Sequence, residues 1–348
     1  MTDPDTLAAR RHWLARVAFA TGAGAAALLL PAGLIRAADG AASAPAAAGG
    51  KAPAGEGAAL IRPLATRSLV LAVTRAGQRL VAVGERGHVL LSDDEGKQWR
   101  QAKAVPTRNT LTCLHAVDAT HLWAAGHAGT LLRSDDAGET WRKVASPVQE
   151  RDVLLSIRVE PGGRGLAVGG FGVAITTSDG GEHWQGAELI AGEEGERHLN
   201  QILVSAKGTW LIAAEAGHVL RSADAGATWK AIKTPYAGSL WSGVALANGG
   251  LLACGMRGNL VRSSDDGLSW THQAIPGAGS LTAAVVLRDQ RVALVGVDGT
   301  VVIGNAAGDQ FVLHRQDDRA TLNAAVLVGA DLLAVGSATG LKLLPLPG

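Results

Sequence analysis

Cysteine, tyrosine and phenylalanine are scarce in this chain, and its charges nearly cancel. The 348 residues include two cysteines, one tyrosine and three phenylalanines, and the formal net charge is +1. Two cysteines are too few for the disulfide framework of a small secreted domain. The lack of a basic excess argues against nucleic acid as a partner. With 47% hydrophobic residues, the chain has enough apolar side chains for a large core.

Glycine and tryptophan, by contrast, recur at a fixed spacing. The pattern Ser/Thr-x-Asp-x-Gly-x-x-Trp occurs five times, and its tryptophans are 42, 43, 45 and 41 residues apart. A sixth copy retains Gly308 but has Phe311 in place of the tryptophan. A period of this size indicates a solenoid or a propeller. The aspartates and tryptophans of the five complete copies are Asp94 and Trp99, Asp136 and Trp141, Asp179 and Trp184, Asp224 and Trp229, and Asp265 and Trp270.

Each position of this Asp-box pattern has a structural reason. The aspartate can accept hydrogen bonds from nearby backbone N–H groups and so close a tight turn. The glycine supplies a backbone conformation that a residue with a Cβ resists, and the tryptophan buries a large ring against the next layer. We therefore interpret the pattern as a clamp between two strands, with structural rather than catalytic aspartates.

A second repeat, Gly-x-x-Gly, is found in seven copies between two apolar runs. Ala214 replaces the first glycine of the fourth copy, and the seventh copy is longer, from Gly336 to Gly340. One more apolar run precedes each copy, so each unit contains four short antiparallel strands, which is typical of a propeller blade. We therefore predict an all-β fold, a seven-bladed β-propeller. Because the last unit lacks its outer strand, residues 59–62 are predicted to supply it and close the ring.

The N-terminal residues are predicted to lie outside the propeller. Residues 1–37 combine a positive head with a nearly uncharged apolar run, as in an export signal. The pair Arg10-Arg11 resembles a twin-arginine signal, so that route and the general secretory route both remain open, as does retention of the run as a membrane anchor. Residues 38–57 are interpreted as an Ala/Gly/Pro-rich linker and residues 58–348 as the propeller. We therefore expect a periplasmic protein.

No metal or cofactor site is predicted. Cys113 and Cys254 are assigned to the inner strands of blades two and five, too far apart for a disulfide, and are expected to be free buried thiols. His88 and His218 fall at equivalent positions of different blades, too far apart to share a metal ion. The acidic residues 193–196 match no calcium loop.

Arginine marks one face of the predicted disc. In four-stranded blades the Gly-x-x-Gly hairpins and the connections between blades share one face, and the Asp boxes lie on the other. Arginines precede five of the inner strands, and two more lie in hairpins. They could surround one mouth of the channel and bind carboxylates or phosphates, or they could pair with nearby acidic side chains such as Asp152. These candidate binding residues are Arg67, Arg108, Arg151, Arg197, Arg319, Arg86 and Arg257.

The Asp box also resembles the repeat of bacterial neuraminidases, which are propellers. That resemblance implies a sialidase-like glycoside hydrolase, with Tyr236 as nucleophile and Glu215 as its partner. Against it, the Phe/Tyr-Arg-Ile-Pro motif of those enzymes is absent, and their catalytic domains have six blades rather than seven. This hydrolase is kept as the alternative function.

Residues 126–141 give the complete form of the repeat, which resembles the photosystem II stability and assembly factor family. The resemblance covers the whole predicted propeller. It implies an exported, non-catalytic assembly factor whose arginine-rich patch engages a membrane protein or its periplasmic segment. The export signal is of a bacterial type, so a photosystem subunit and a membrane transporter both remain open as the client. A monomeric propeller is expected, and a carbohydrate- or peptide-binding module without an assembly role is a third possibility.

Overall fold

In the computed structural model, which describes residues 57–347, seven antiparallel β-sheets surround a central channel. Six sheets have four strands and the seventh has three. Each inner strand contacts the inner strands of both neighbouring sheets, and the first and last sheets also meet. The predicted seven-bladed β-propeller is therefore confirmed. The predicted export signal lies outside the described residues, as does all of the predicted linker except Gly57.

Strands are numbered in chain order from the channel outward within each blade. Blade one consists of β1 (Val70–Ala76), β2 (Arg79–Gly84), β3 (Val89–Ser92) and β4 (Arg100–Gln101). Blade two consists of β5 (Leu111–Ala116), β6 (Leu122–Gly126), β7 (Leu131–Ser134) and β8 (Arg142–Lys143). Blade three consists of β9 (Leu154–Val159), β10 (Gly165–Gly169), β11 (Ala174–Thr177) and β12 (Gln185–Gly186).

The remaining blades follow the same order. Blade four consists of β13 (Leu199–Val204), β14 (Trp210–Ala214), β15 (His218–Ser222) and β16 (Lys230–Lys233). Blade five consists of β17 (Leu240–Ala245), β18 (Leu251–Gly255), β19 (Asn259–Ser263) and β20 (Thr271–Ala274). Blade six consists of β21 (Leu281–Val286), β22 (Val292–Gly296), β23 (Thr300–Gly304) and β24 (Phe311–Arg315). Blade seven consists of β25 (Leu322–Val328), β26 (Leu332–Ser337) and β27 (Gly340–Pro345).

Single-turn 3-10 helices occupy several hairpins and connections. They are Ala65–Arg67, Glu85–Gly87, Gly170–Gly172, Glu193–Glu196, Glu215–Gly217 and Met256–Gly258. Among the residues that the structure describes, no helix is long and apolar enough to cross a membrane.

The core lies between the blades as a series of apolar layers. The second strand of each blade is buried along nearly its whole length because it is central in its own sheet and covered by the adjacent blades. In one layer Val81 and Leu91 of blade one pack with Leu122 and Trp141 of blade two. Continuous apolar runs in these strands follow from burial on both faces.

Each inner strand carries a β-bulge at its second residue. The register of β1 with β2 shifts between Val70 and Ala72, and the same shift recurs in all seven blades. A bulge turns the extra side chain out of the regular alternation of the strand. The seven bulged residues all line the central channel, and they are Leu71, Thr112, Leu155, Asn200, Trp241, Thr282 and Asn323.

The predicted closing strand is wrong. Residues 59–62 form no strand, and the N–H of Ala59 donates to the carbonyl of Val105 at 2.8 Å. The side chain of Gln101 donates to the carbonyl of Leu60 at 3.1 Å. The segment therefore follows the outer edge of blade one. The ring is closed by packing and side-chain hydrogen bonds instead: Leu80 of blade one shares an apolar cluster with Val328 of blade seven, and Asn323 donates to the carbonyl of Val70.

One strand assignment is also wrong. Cys254 lies in β18, the second strand of blade five, whereas Cys113 lies in the inner strand β5 as predicted. Both thiols are free and buried, and burial raises the pKa of each to about 12. The assignment differs because the apolar run containing Cys254 is the second of its unit, after the run that begins at Leu240.

Candidate functional site: the arginine face and the channel mouth

The Asp boxes form a repeated network of short hydrogen bonds on one face of the disc. In blade two, Asp136 accepts hydrogen bonds from Ser134 Oγ and from the N–H of Thr140, each at 2.9 Å. Ser134 Oγ accepts one from the N–H of Gly138 at 2.9 Å, and the indole of Trp141 donates to the Gly138 carbonyl at 2.9 Å. These bonds fix the turn from within. The hydrogen bonds within the turn are thus sufficient to explain why each box has an aspartate.

The other boxes repeat these bonds with small departures. Trp184 in blade three is buried, and its indole N–H has no hydrogen-bond partner among the described residues. In the eroded sixth copy, the side chain of Asn305 closes the turn and accepts a hydrogen bond from the N–H of Asp309 at 3.1 Å. Hydrogen bonds from the hydroxyl and N–H of Ser269 lower the pKa of Asp265 to about 2. The pKa values of the other four box aspartates are lowered too.

Several arginines on the Asp-box face are paired with carboxylates, whereas Arg164 donates only to the backbone carbonyls of Asp224 and Ala225. Arg79 forms a two-bond pair with Asp93, at 2.6 and 3.1 Å, and a further bond to Glu139 at 3.0 Å. Arg75 pairs with Glu95 in the same two-bond manner, at 3.0 and 2.7 Å. Forked pairs of this kind satisfy the guanidinium group. The charges of Arg75 and Arg79 are therefore neutralised locally.

The seven predicted binding arginines lie on the opposite face, which we call the arginine face. Among the described residues, Arg67, Arg108 and Arg257 have no carboxylate within 4 Å; Arg108 donates only to the carbonyl of Ala58, at 3.0 Å. Arg151 lies 3.8 Å from Asp152 and Arg86 lies 4.0 Å from Glu85, both beyond hydrogen-bond range. These five side chains are exposed.

The remaining two arginines have closer neighbours. Arg319 donates to Asp298 at 3.1 Å but is still more than half exposed. Arg197 is only 22% exposed, lies 3.8 Å from Glu194, and has a buried Nη1 without a hydrogen bond among residues 57–347. Arg197 also lowers the pKa of the buried His218, after the larger effect of burial. It is therefore oriented beneath the acidic loop rather than toward solvent.

Two of the arginines are brought together between blades one and two. A Cβ on Gly87, the residue after Arg86, would lie 3.3 Å from the Cα of Arg108, so the two arginines are on touching backbone segments. Arg62 is near them as well, because Arg62 and Arg86 both lower the pKa of His88, whose burial is the larger cause. Sequence reasoning missed Arg62 because it was assigned to the closing strand. Arg151, Arg257 and Arg319 stand separately around the face.

The channel opens at the centre of this face. The ring of seven bulged residues lines a cavity of about 330 Å³. A second cavity of about 260 Å³ is lined by the same ring and by the small residues that follow it, such as Ala72 and Ser242. The ring contains no charged side chain. Trp241 is its largest member. The sequence did not predict its position in the channel, because no local sequence pattern identifies a β-bulge.

The predicted catalytic pair is not assembled. The Tyr236 hydroxyl donates to the carbonyl of Met256 at 3.1 Å, whereas the Glu215 carboxylate accepts from the N–H of His198 at 3.2 Å. Burial raises the pKa of Tyr236, which disfavours the phenolate that a nucleophile requires. Residues 57–347 contain no group of three or more histidine, cysteine, aspartate or glutamate residues placed to hold a metal ion.

These features define a class: a seven-bladed Asp-box propeller with exposed arginines on one face and an uncharged channel mouth. Residues 144–297 match the family model described as "Photosynthesis system II assembly factor YCF48". The resemblance to this family of assembly factors is thus confirmed over blades three to five and the first two strands of blade six. A comparison of the sequence with curated proteins finds no match.

Solved structures with the same fold include two described as YCF48. "YCF48 bound to D1 peptide" is 15% identical, with 86% of this chain and 98% of that chain covered and a TM-score of 0.67. "YCF48 from Cyanidioschyzon merolae" is 16% identical, with coverage of 84% and 99% and a TM-score of 0.61. A virginiamycin B lyase from Staphylococcus aureus is 11% identical, with coverage of 83% and 98% and a TM-score of 0.69. At these identities the likeness shows the fold alone.

Proposed function

We propose that the protein is a non-catalytic scaffold that binds an acidic segment of a membrane protein on the arginine face during assembly. The observation that carries this proposal is a group of exposed arginines on the arginine face that have no carboxylate of residues 57–347 within hydrogen-bond range. Arg75 and Arg79 on the Asp-box face are held in forked pairs, whereas Arg67, Arg108 and Arg257 have no acidic partner among the described residues. Exposed guanidinium groups without partners are available for the carboxylates of a ligand.

The family match supports the scaffold interpretation. One of the similar structures is titled as YCF48 bound to a D1 peptide, which is a property of that protein. By analogy we propose a membrane-protein partner for this chain, met on the periplasmic side of the membrane. An integral membrane transporter is our candidate client in a host without a photosystem.

The experiment is crosslinking of the full-length protein in its native host, followed by mass spectrometry of the co-purified proteins. The variant carries Arg108→Glu and Arg151→Glu, two exposed positions in different blades. We expect it to lose membrane proteins that the wild type captures, because acidic side chains repel an acidic segment. The melting temperature should stay near that of the wild type, since neither arginine has a hydrogen-bonded carboxylate partner.

The matched control carries Arg142→Glu and Arg291→Glu, which place the same charge on the Asp-box face. Arg142 and Arg291 are partly exposed and pair with acidic residues of that face. Capture should survive in this control. Equal capture by the wild type and the Arg108/Arg151 variant would refute the assignment of the binding face.

A further inference from the structure

The ring at the channel mouth is built from one bulged residue of each blade, but its members do two different things. Four members are polar and hold neighbouring blades together. Asn200 donates to the carbonyl of Leu240 at 2.7 Å, and Asn323 donates to that of Val70 at 2.9 Å. The hydroxyls of Thr112 and Thr282 donate in the same way to the first inner-strand carbonyl of the next blade. These four side chains are accounted for by ring structure.

The other three members are apolar and form no hydrogen bond to the next blade. Leu71, Leu155 and Trp241 line the cavity of about 330 Å³ and are only partly buried. Threonine or asparagine at these positions would supply a further link between blades, as it does in the other four. Large apolar side chains left in contact with water at the mouth of a cavity are a feature of binding sites.

The arginines lie within reach of this mouth. Arg67, Arg108 and Arg151 each precede the ring residue of their blade by four positions. Four residues of fully extended chain span at most about 14 Å, so the arginine backbones lie no farther than this from the ring. A ligand at the mouth therefore meets apolar surface at the centre and exposed arginines on the side of blades one to three.

This pattern defines the chemistry of an occupant. We propose that the channel mouth binds one large apolar side chain of an acidic polypeptide segment, while the surrounding arginines bind the carboxylates that flank it. The inference rests on the proposed function and specifies the kind of segment that is bound. The volume of the cavity is at the lower end of the range for ligand pockets. It is therefore large enough for one side chain and the backbone atoms beside it. Its uncharged lining disfavours a carboxylate inside it.

The test uses three fluorescein-labelled octapeptides and the full-length protein, with binding measured by fluorescence anisotropy at constant ionic strength. The first peptide has four glutamates flanking one phenylalanine. The second has serine in place of the phenylalanine, and the third keeps the phenylalanine but has lysines in place of the glutamates. We expect the first to bind at least tenfold more tightly than the second, and the third to bind more weakly than both.

The variant is Trp241→Asn, which introduces the residue found at the same bulge in blades four and seven. It should weaken binding of the phenylalanine peptide at least tenfold and leave the serine peptide unchanged. Leu155→Thr, which introduces the residue of blades two and six, gives a second variant with the same expected direction. The matched control is Leu268→Asn, at an exposed apolar residue on the Asp-box face, which should bind both peptides as the wild type does.

The outcomes separate the two proposals. If the wild type binds the phenylalanine and serine peptides equally well, and the lysine peptide poorly, acidic docking stands and the apolar site is refuted. If none of the peptides binds, or all three bind alike, the arginine face itself is refuted together with the site. A wild-type dimer that Trp241→Asn converts to a monomer in sedimentation experiments would assign the mouth to a second copy and overturn the proposal.

Discussion

At the scale of single residues, adjacent side chains of one Asp box have opposite roles. Asp136 bonds to Ser134 Oγ and to the N–H of Thr140 inside the turn. Its neighbour Asp135 points outward and pairs with Arg133 at 2.6 Å on the surface. Hydrogen bonds that hold a backbone turn contribute to folding, whereas exposed ion pairs contribute little. Two adjacent aspartates of one box are therefore expected to contribute unequally to stability.

We expect Asp136→Ala to lower the free energy of unfolding by about 1–3 kcal/mol, because it removes the bonds that close the turn. Asp135→Ala, the matched control one residue away, should lower it by at most about 1 kcal/mol. Urea denaturation followed by circular dichroism measures both values. A loss from Asp135→Ala as large as that from Asp136→Ala would contradict the clamp.

Residues whose role depends on local contacts could be predicted from the sequence, and residues whose role depends on register could not. Asp136 and Trp141 bond within a few positions of themselves, so their spacing carries the information. Trp241 faces the channel only because the register of its strand shifts beside it. Arg62 joins the arginine face only because residues 59–62 follow the edge of blade one, a long-range contact that no local pattern specifies.

At the scale of elements, the Gly-x-x-Gly hairpins link each blade to the next. The second glycine has a positive φ in all seven copies, and a Cβ there would lie within 3 Å of a carbonyl oxygen of the neighbouring connection. In blade three, Gly172 has a φ of +73° and would place its Cβ 1.8 Å from the carbonyl oxygen of Gly195. Glycine is therefore required there for two reasons, its backbone conformation and the close approach of the next blade.

Gly180 allows these two reasons to be separated. Its φ is +75°, close to that of Gly172, but a Cβ there would have nothing within 4 Å. Gly180→Ala should cost about 1–2 kcal/mol of unfolding free energy, from the backbone conformation alone. Gly172→Ala should cost clearly more, because the connection before blade four must also move. Thermal unfolding of the two variants measures the difference. Equal losses of unfolding free energy would show that the close approach of the next blade does not restrict the residue at position 172.

The sequence also predicted a closing strand that does not form, and the cause is physical. Strand formation depends on which edge is available, and residues 59–62 bond to Gln101 and Val105 in blade one instead of to blade seven. Pro63 follows at once and has no N–H for a ladder. The number of blades was predictable because the repeat counts them, whereas the way in which the ring closes depends on contacts between its two ends.

At the scale of the whole molecule, the seam between blades seven and one differs from the other seams. Blades four and five are joined by the chain between β16 and β17, whereas no described residues link blade seven onward to blade one. Equivalent ring residues bridge both seams, since Asn200 bonds to Leu240 and Asn323 bonds to Val70. The seam at Asn323 is therefore held by side-chain packing and hydrogen bonds alone, and it should be the place where the ring opens first.

We therefore expect Asn323→Ala to speed amide hydrogen exchange in β1 and β25 by about fivefold, the effect of losing one hydrogen bond of about 1 kcal/mol. Asn200→Ala removes the equivalent bond between blades four and five, but the covalent connection there still opposes separation. It should leave exchange in β1 and β25 unchanged and have little effect on β13 and β17. Native-state exchange read by mass spectrometry compares the two variants. Equal acceleration at both seams would mean that the ring opens as one unit, and that covalent continuity between blades adds nothing to its local stability.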